Sequence, residues 1–197
     1  MPTKNLSIFI TSVDDARSAI IESGLRESGH EQLKIAQDIS GIAKQIDAEG
    51  PDAIVIDLGD PDPHMLESIL QLCRLIEKPI ALFVDRTTES TTEAAIDAGI
   101  SAYIVDGLKK ERITPVLEMA ISRFNMYSRM AGELKDARLA LEKRKVIDRA
   151  KGLIMQTQGL SEEEAYSLMR KTAMNQNRKL HELAESLVLA SGLLNSK

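Results

Sequence analysis

Ala53-Ile-Val-Ile-Asp57 is the stretch of the sequence that decides the fold of the N-terminal part. Its four apolar residues follow one another without a polar residue between them, and an aspartate comes directly after. A strand that is apolar on both faces is typical of a parallel sheet covered by helices on both sides. We therefore predict an α/β domain around this strand, with its functional residues at the carboxyl ends of the strands.

Similar apolar runs surround this stretch, and helical periodicity follows each of them. The other predicted strands are Leu6–Ile10, Leu33–Ala36, Pro79–Val84 and Ser101–Val105. The predicted helices cover residues 14–27, residues 42–46, a segment that follows the turn at residues 59–63 and runs through Leu75, and residues 89–98. Five strands that alternate with helices predict a five-stranded doubly wound, flavodoxin-like domain over residues 1–110.

The remaining sequence predicts helices only. Helical spacing continues from Arg112 to Gln158, where Pro115 suits the first turn, and Gly159 is placed to end this helix. Ser161-Glu-Glu-Glu164 is a capping box, which predicts a second helix from residue 162. A third helix begins near Leu180, after a polar break. We predict a linker helix over residues 111–142 and a three-helix bundle over residues 143–197.

The linker helix carries an apolar seam. Its residues are spaced by three and four, or by seven, as in helices that pack against another helix: Phe124, Tyr127, Met130, Leu134 and Leu141. The seam predicts that this helix packs against another helix, in a coiled coil with a second copy of the chain or against a partner protein. The alternative is that the seam packs back onto the N-terminal domain.

Charge is divided unevenly along the chain. The net charge is -5. Residues 143–197 hold ten Lys and Arg against six Asp and Glu, a net charge of +4, so residues 1–142 carry -9. A single cysteine, Cys73, excludes an internal disulfide, and we expect it to be buried in a helix. No apolar run reaches the ~20 residues that a membrane span needs, so we expect a soluble, cytoplasmic protein without membrane attachment.

The sequence offers no catalytic constellation. The three histidines, His30, His64 and His181, lie in separate segments without ligand spacing, and we expect each at the surface. Neither a P-loop nor a dinucleotide-binding glycine motif is present. We therefore expect no enzymatic activity, no cofactor and no metal.

Asp57 ends the third predicted strand, as the phosphoacceptor of response-regulator receiver domains does. The resemblance implies an acidic pair for Mg²⁺ after the first strand, a hydroxyl after the fourth and a lysine after the fifth. Here Ser12 and Val13 stand in place of the pair, Val84 in place of the hydroxyl, and Asp106 in place of the lysine. We therefore predict a receiver-like pseudo-receiver, in which Asp57 is a candidate phosphoacceptor but a structural or vestigial role is favoured.

Basic residues concentrate in the C-terminal module. Their density suits a phosphate backbone, although charge alone favours a solvated face of a helical bundle. The pattern is more specific: residues 144–155 (RKVIDRAKGLIM), residues 160–166 (LSEEEAY) and residues 168–175 (LMRKTAMN) closely resemble the ANTAR domain of the AmiR and NasR antitermination regulators. The resemblance implies a regulator that binds paired hairpins in a nascent leader RNA.

The resemblance also suggests roles for individual residues. Tyr166, Arg170 and Asn175 would read unstacked loop bases, although Tyr166 equally fits core packing. The phosphate contacts would come from Lys145, Arg149, Lys151, Lys171 and Arg178. Ala150, Ala173 and Met174 belong to the same motif and suit close helix packing as well as RNA contact.

Asp106-Gly-Leu108 and the altered pocket look most like the NasT branch of the family. This implies control of nitrate and nitrite assimilation genes by a NasS-like cytoplasmic sensor protein, without phosphorylation, and a possible homodimer on RNA. Two other functions stay open. One is a phosphorylation-activated two-component response regulator that binds duplex DNA, and the other is an adaptor that acts through protein contacts alone.

Overall fold

The computed structural model describes residues 5–12, 14–36 and 41–195, so the predicted pocket position Val13 lies outside the described residues. The strands are β1 Ile8–Ser12, β2 Leu33–Ala36, β3 Ala53–Gly59, β4 Ile80–Val84 and β5 Ala102–Val105. The helices are α1 Asp15–Glu27, α2 Ile42–Glu49, α3 Pro63–Cys73, α4 Glu89–Asp97, α5 Lys110–Gln158, α6 Glu162–Asn175 and α7 Leu180–Asn195. Two compact units divide the chain, residues 1–128 and residues 129–197.

The first unit is the predicted five-stranded doubly wound domain. All neighbouring strands are parallel, in the order β2-β1-β3-β4-β5. Every residue of β3 is buried, because helices cover both faces of the sheet. One core contains Phe9, Ile54 and Ile56 with residues of α2, α3 and α4. The opposite core contains Val55 and Phe83 with residues of α1 and the start of α5.

Helix α1 packs closely against the first turns of α5. A Cβ atom on Gly24 would lie 2.9 Å from the Lys110 carbonyl oxygen, so only glycine fits there without a shift of the backbone. The hydroxyls of Thr114 and Ser28 are hydrogen-bonded at 2.7 Å. Lys110 also forms an ion pair with Glu27. Together these contacts attach the C-terminal end of α1 to α5.

The apolar seam of α5 divides into two parts. Before the seam, Ile113, Leu117 and Ala120 of α5 are buried against the sheet, and the first seam residue, Phe124, is half-buried. Beyond them the seam residues are exposed by 52 to 58%: Tyr127, Met130, Leu134 and Leu141.

The second unit contains the end of α5 with α6 and α7, as predicted. Its core is built from small and apolar residues of all three helices: Ala150, Ile154, Ala165, Met169, Ala173, Leu183 and Ala184. The predicted capping box starts α6. The Glu164 amide donates to the Ser161 hydroxyl at 3.3 Å, and the Ser161 amide donates to the Glu164 carboxylate at 2.9 Å.

The structure differs from the sequence-based expectations at β1 and at His30, and it argues against helix packing of Met174, one of the two roles left open for that residue. Strand β1 starts at Ile8 and extends to Ser12, because Ser12 still pairs in register with Asp57 although it is polar. His30 is only 3% exposed, so its expected surface position was wrong. The turn at Gly29 folds the chain back and lets the His30 amide donate to the Leu25 carbonyl at 3.1 Å. Met174 is 70% exposed, so it does not pack between helices, whereas Ala150 and Ala173 do.

Cys73 is buried and free, as expected, and burial raises the pKa of its thiol to about 12. Within the described ranges, every helix is too short or too polar to span a lipid bilayer.

Candidate functional site

Asp57 lies at the carboxyl end of β3, and its side chain is completely buried. The parallel register places Ser12, at the end of β1, directly beside it. The Ser12 hydroxyl donates to Asp57 Oδ2 at 2.7 Å. A buried carboxylate needs a nearby cation or several donors to remain charged, and one hydroxyl is too little.

Arg17 supplies the cation. Its Nε donates to Asp57 Oδ2 at 2.7 Å, and its Nη2 donates to Asp57 Oδ1 at 2.6 Å, which is a two-pronged ion pair. The same guanidinium reaches Asp85 at the end of β4, where Nη1 donates to Oδ2 at 3.2 Å and Nη2 lies 3.0 Å from Oδ1. One guanidinium therefore lies between two carboxylates and forms hydrogen bonds with both.

The start of α1 positions this arginine. Asp14 is the N-cap of α1, and its Oδ1 accepts from the amides of Ala16 at 2.7 Å and Arg17 at 3.0 Å. Arg17 therefore lies in the first helical turn, next to the ends of β1 and β3. Asp85 is placed by its amide, which donates to the Gly59 carbonyl at 2.6 Å across a register shift between β3 and β4.

The hydrogen bond to Asp57 is the main reason that the pKa of Arg17 lies above its ordinary value, and Asp85 raises it further. The Arg17 side chain is 24% exposed, so water screens the pair only partly. An arginine guanidinium is not deprotonated in proteins, and these contacts favour its charged form further. Asp57 therefore has a permanent counter-ion.

The other predicted pocket positions have no phosphoryl-binding group. Val84 is buried at the end of β4. Asp106 is exposed and has a left-handed backbone with φ 47°, and its amide donates to the Val84 carbonyl at 2.9 Å. Asp14 caps α1, and Asp15 is exposed in its first turn.

A divalent metal ion, which receiver folds use at this place, does not fit the residues present. Among the described residues, no group of three or more His, Cys, Asp or Glu side chains is arranged to hold a metal ion. The two carboxylates nearest to such a position, Asp57 and Asp85, are both bound to Arg17.

The sequence interpretation missed Arg17 because it searched the residues after each strand, and Arg17 lies one turn inside the following helix. A signal did exist. Asp14 is a good N-cap residue, and a cation three residues after an N-cap in the first helix lies at the same sheet edge as Asp57.

The second candidate site is the basic surface of the C-terminal unit. Arg149, Arg170 and Lys171 are exposed, and their side chains have no hydrogen-bond or ion-pair partner within residues 5–12, 14–36 and 41–195. Tyr166 is 44% exposed, which argues against the core-packing alternative, and Asn175 is exposed at the end of α6. Lys145 is exposed too, in a weak i,i+3 pair with Glu142 at 2.8 Å.

Besides Lys145, two more of the predicted RNA contacts have intramolecular partners. Lys151 Nζ lies 2.9 Å from Asp148 and 2.7 Å from Glu162, so it joins α5 to α6. The hydrogen bond to Glu162 is the main cause that raises the pKa of Lys151. Arg178 Nη2 donates to the Glu182 carbonyl at 2.8 Å and to the Ser186 hydroxyl at 2.7 Å, which fixes the start of α7.

Comparison with known proteins bears directly on this unit, because residues 135–188 match the ANTAR domain model. Residues 135–188 are therefore assigned to the ANTAR domain, and the relatives that match the chain are regulatory proteins. The transcriptional regulatory protein PdtaR of Mycobacterium tuberculosis is 27% identical over 168 residues, which cover 85% of this chain and 82% of that protein. A nitrate regulatory protein of Klebsiella oxytoca is 39% identical over 64 residues, which cover 32% of this chain and 16% of that protein.

Solved structures support the fold of the unit that precedes the ANTAR domain. The signal receiver domain of a modulated diguanylate cyclase from Desulfovibrio desulfuricans G20 superposes with a TM-score of 0.53 at 15% identity, covering 63% of this chain and 99% of that one. A pilus assembly-related protein from Burkholderia pseudomallei K96243 gives a TM-score of 0.50 at 21% identity, covering 62% and 92%. At these identities the likeness concerns the fold alone, which is receiver-like.

The ion pair at Asp57 leads to a stability prediction. We expect Arg17→Ala to lower the free energy of unfolding by ~3 kcal/mol or more, because it leaves a buried carboxylate without its cation. Arg26→Ala is the matched control on the same helix, since Arg26 forms only an exposed pair with Glu22 at 2.8 Å. It should change the stability by less than ~0.5 kcal/mol. Urea unfolding followed by circular dichroism measures both, and equal effects of the two substitutions would contradict the prediction.

Proposed function

We propose that this chain is a transcription antitermination regulator whose C-terminal unit binds paired hairpins in a nascent leader RNA. The observation that carries the proposal is the set of exposed cations without an internal partner beside an exposed tyrosine in the ANTAR domain: Arg149, Arg170, Lys171 and Tyr166. Binding to nascent RNA would place the protein in the cytoplasm.

These cations suit a polyanion for a physical reason. An arginine or lysine that has no carboxylate partner can bind a phosphate oxygen without first breaking an ion pair. Each such contact also releases counter-ions from the nucleic acid. Lys145 can exchange its exposed pair with Glu142 for a phosphate at little cost. Lys151 and Arg178 are bound within the bundle, so we assign them to its stability and only secondarily to RNA.

The exposed face of α6 is suited to unpaired bases. Tyr166, Arg170 and Met174 follow one another at intervals of four residues, so they lie along one side of the helix. Loop bases stack on aromatic rings and on guanidinium planes, and Asn175 adds an amide that can donate and accept at a base edge. This arrangement supports recognition of the unpaired bases in hairpin loops, in preference to contacts with a duplex backbone alone.

A binding measurement tests the proposal. We expect Arg170→Ala combined with Lys171→Ala to weaken binding to a two-hairpin leader RNA by about tenfold or more and to lower the salt slope by roughly one to two. Lys44→Ala combined with Arg74→Ala removes the same charge from exposed sites of the receiver-like unit and is the matched control. Gel shifts at several fixed salt concentrations measure both pairs, and equal losses would indicate a charge effect without a defined site.

Tyr166 separates loop reading from charge in the same assay. Tyr166→Phe should keep most of the affinity, whereas Tyr166→Ala should lose ~1–3 kcal/mol of stacking, and only with intact loops. Preference for duplex DNA, or no affinity for RNA, would favour one of the two other functions considered from the sequence.

We further propose that a partner protein controls this regulator and that phosphorylation does not. Asp57 is buried beneath the Arg17 guanidinium and accepts three short hydrogen bonds from Arg17 and Ser12, so Arg17 would have to move away before a phosphoryl donor and Mg²⁺ could reach the carboxylate. The likeness to the nitrate regulatory protein supports nitrate and nitrite assimilation genes as the targets, although it covers only 64 residues of this chain. A NasS-like nitrate sensor in the cytoplasm would then be the partner.

Labelling with acetyl phosphate tests the absence of phosphorylation. Because Arg17 occupies the carboxylate, we expect the full chain in Mg²⁺ buffer to gain no more phosphoryl group than Asp57→Asn does, as measured by intact-mass spectrometry. Stoichiometric incorporation that Asp57→Asn abolishes and that strengthens RNA binding would refute partner-only control.

The exposed seam of α5 supports a homodimer. If Tyr127, Leu134 and Leu141 occupy heptad position a, then Met130 takes position d, and Ala137 takes the next d position. Glu133 and Arg138 then fall at positions g and e, where residues five apart meet across a parallel dimer. Opposite charges at these two positions favour a second copy of this chain in parallel register.

A charge swap tests this register. Glu133→Lys alone and Arg138→Glu alone should each weaken dimerisation, because each creates like-charge pairs across the seam, and the double variant should restore it. Sedimentation equilibrium measures the three variants beside the native chain. Should the single variants dimerise as the native chain does, the parallel register would be wrong.

A further inference from the structure

We propose that the strand-end pocket is a binding site for a guanidinium cation, which the chain supplies itself as Arg17 in place of a divalent metal ion. The pocket is formed by Asp57 and Asp85 at the ends of adjacent strands and by the hydroxyl of Ser12. This inference concerns the receiver-like unit alone and does not depend on RNA binding by the C-terminal unit.

The ligands of the pocket match a guanidinium and not a small metal ion. Mg²⁺ requires near-octahedral oxygen ligands at ~2.0–2.1 Å, usually with several waters. Asp57 instead accepts two parallel N–H donors at 2.6 and 2.7 Å, a fork that a planar guanidinium makes with a carboxylate. The second carboxylate, Asp85, binds the remaining edge of the same plane at 3.0 and 3.2 Å.

Asp14, which follows β1, caps helix α1 and does not bind the cation. Asp14 accepts two backbone amides as the N-cap of α1, and one of these amides belongs to Arg17 itself. Asp14 therefore does not line the cation pocket. Instead it orients Arg17, the residue that fills the pocket. Because Arg17 is part of the chain, its effective concentration at the pocket is high and does not depend on the concentration of free metal.

A filled pocket also fixes α1 at both ends. Arg17 ties its first turn to β3 and β4, while Gly24 and Ser28 hold its last turns against Lys110 and Thr114 of α5. In this arrangement α1 links the carboxylate pair to the start of α5. We therefore expect the loss of Arg17 to expose amides of α1 and of the first turns of α5.

The first experiment uses the native full chain. We expect millimolar MgCl₂, with or without beryllofluoride, to leave its melting temperature unchanged relative to an equal ionic strength of NaCl. Stabilisation by Mg²⁺ that Asp57→Asn abolishes would overturn the proposal, because it would show that a metal ion displaces Arg17. This measurement stays decisive even if variants at position 17 fail to fold.

The second experiment is chemical rescue. In Arg17→Ala, N-ethylguanidinium chloride should reverse at least half of the decrease in melting temperature, and it should restore the hydrogen-exchange protection of α1. Tetramethylammonium chloride should do neither. Arg26→Ala should respond to neither salt, and Arg17→Lys should fall short of the native chain because an ammonium cannot form the fork. Equal responses to both salts, or native stability of Arg17→Ala, would overturn the proposal.

Discussion

The burial of the Asp57 carboxylate is the constraint on which the receiver-like unit depends. The side chain is fully enclosed at the centre of the sheet edge, where an unpaired negative charge would cost several kcal/mol. Three short hydrogen bonds from Arg17 and Ser12 compensate the charge. Because these donors come from β1 and α1, the requirement fixes how far β1 extends and where α1 begins, and Asp85 brings the end of β4 into the same arrangement.

Much of the fold follows from local patterns, because those patterns report burial directly. The apolar run at residues 53–56 predicted a buried central strand, and the Ser161 capping box predicted the start of α6 at residue 162. The polar end of β1 could not be predicted in this way. Its residues are buried by their neighbours in the sheet, and Ser12 is tolerated there because Asp57 accepts its hydrogen bond. His30 was misjudged because no hydrophobic pattern around it indicates that a residue beside the turn at Gly29 is buried.

The candidate sites were predictable to a smaller extent, because they depend on which side chains meet in space. The sequence indicated that Asp57 lacks the usual phosphoryl-binding partners, but it did not indicate what replaces them. Arg17 is separated from Asp57 by forty residues and reaches it only because parallel strands end at one edge. Similarly, Lys151 looks like a surface cation along α5, and the carboxylate that binds it, Glu162, belongs to another helix.

Charge compensation offers a physical criterion for sorting the cations of this protein. Arg17, Lys151 and Arg178 each donate to carboxylates, carbonyls or hydroxyls of their own unit, so moving them toward an external anion would strain or break these bonds. Arg149, Arg170 and Lys171 carry no such cost within the described residues. The net charge of the C-terminal module therefore does not show which of its cations already have internal partners. The cations that stabilise the bundle and the cations available to bind a polyanion are different residues, although the sequence does not distinguish them.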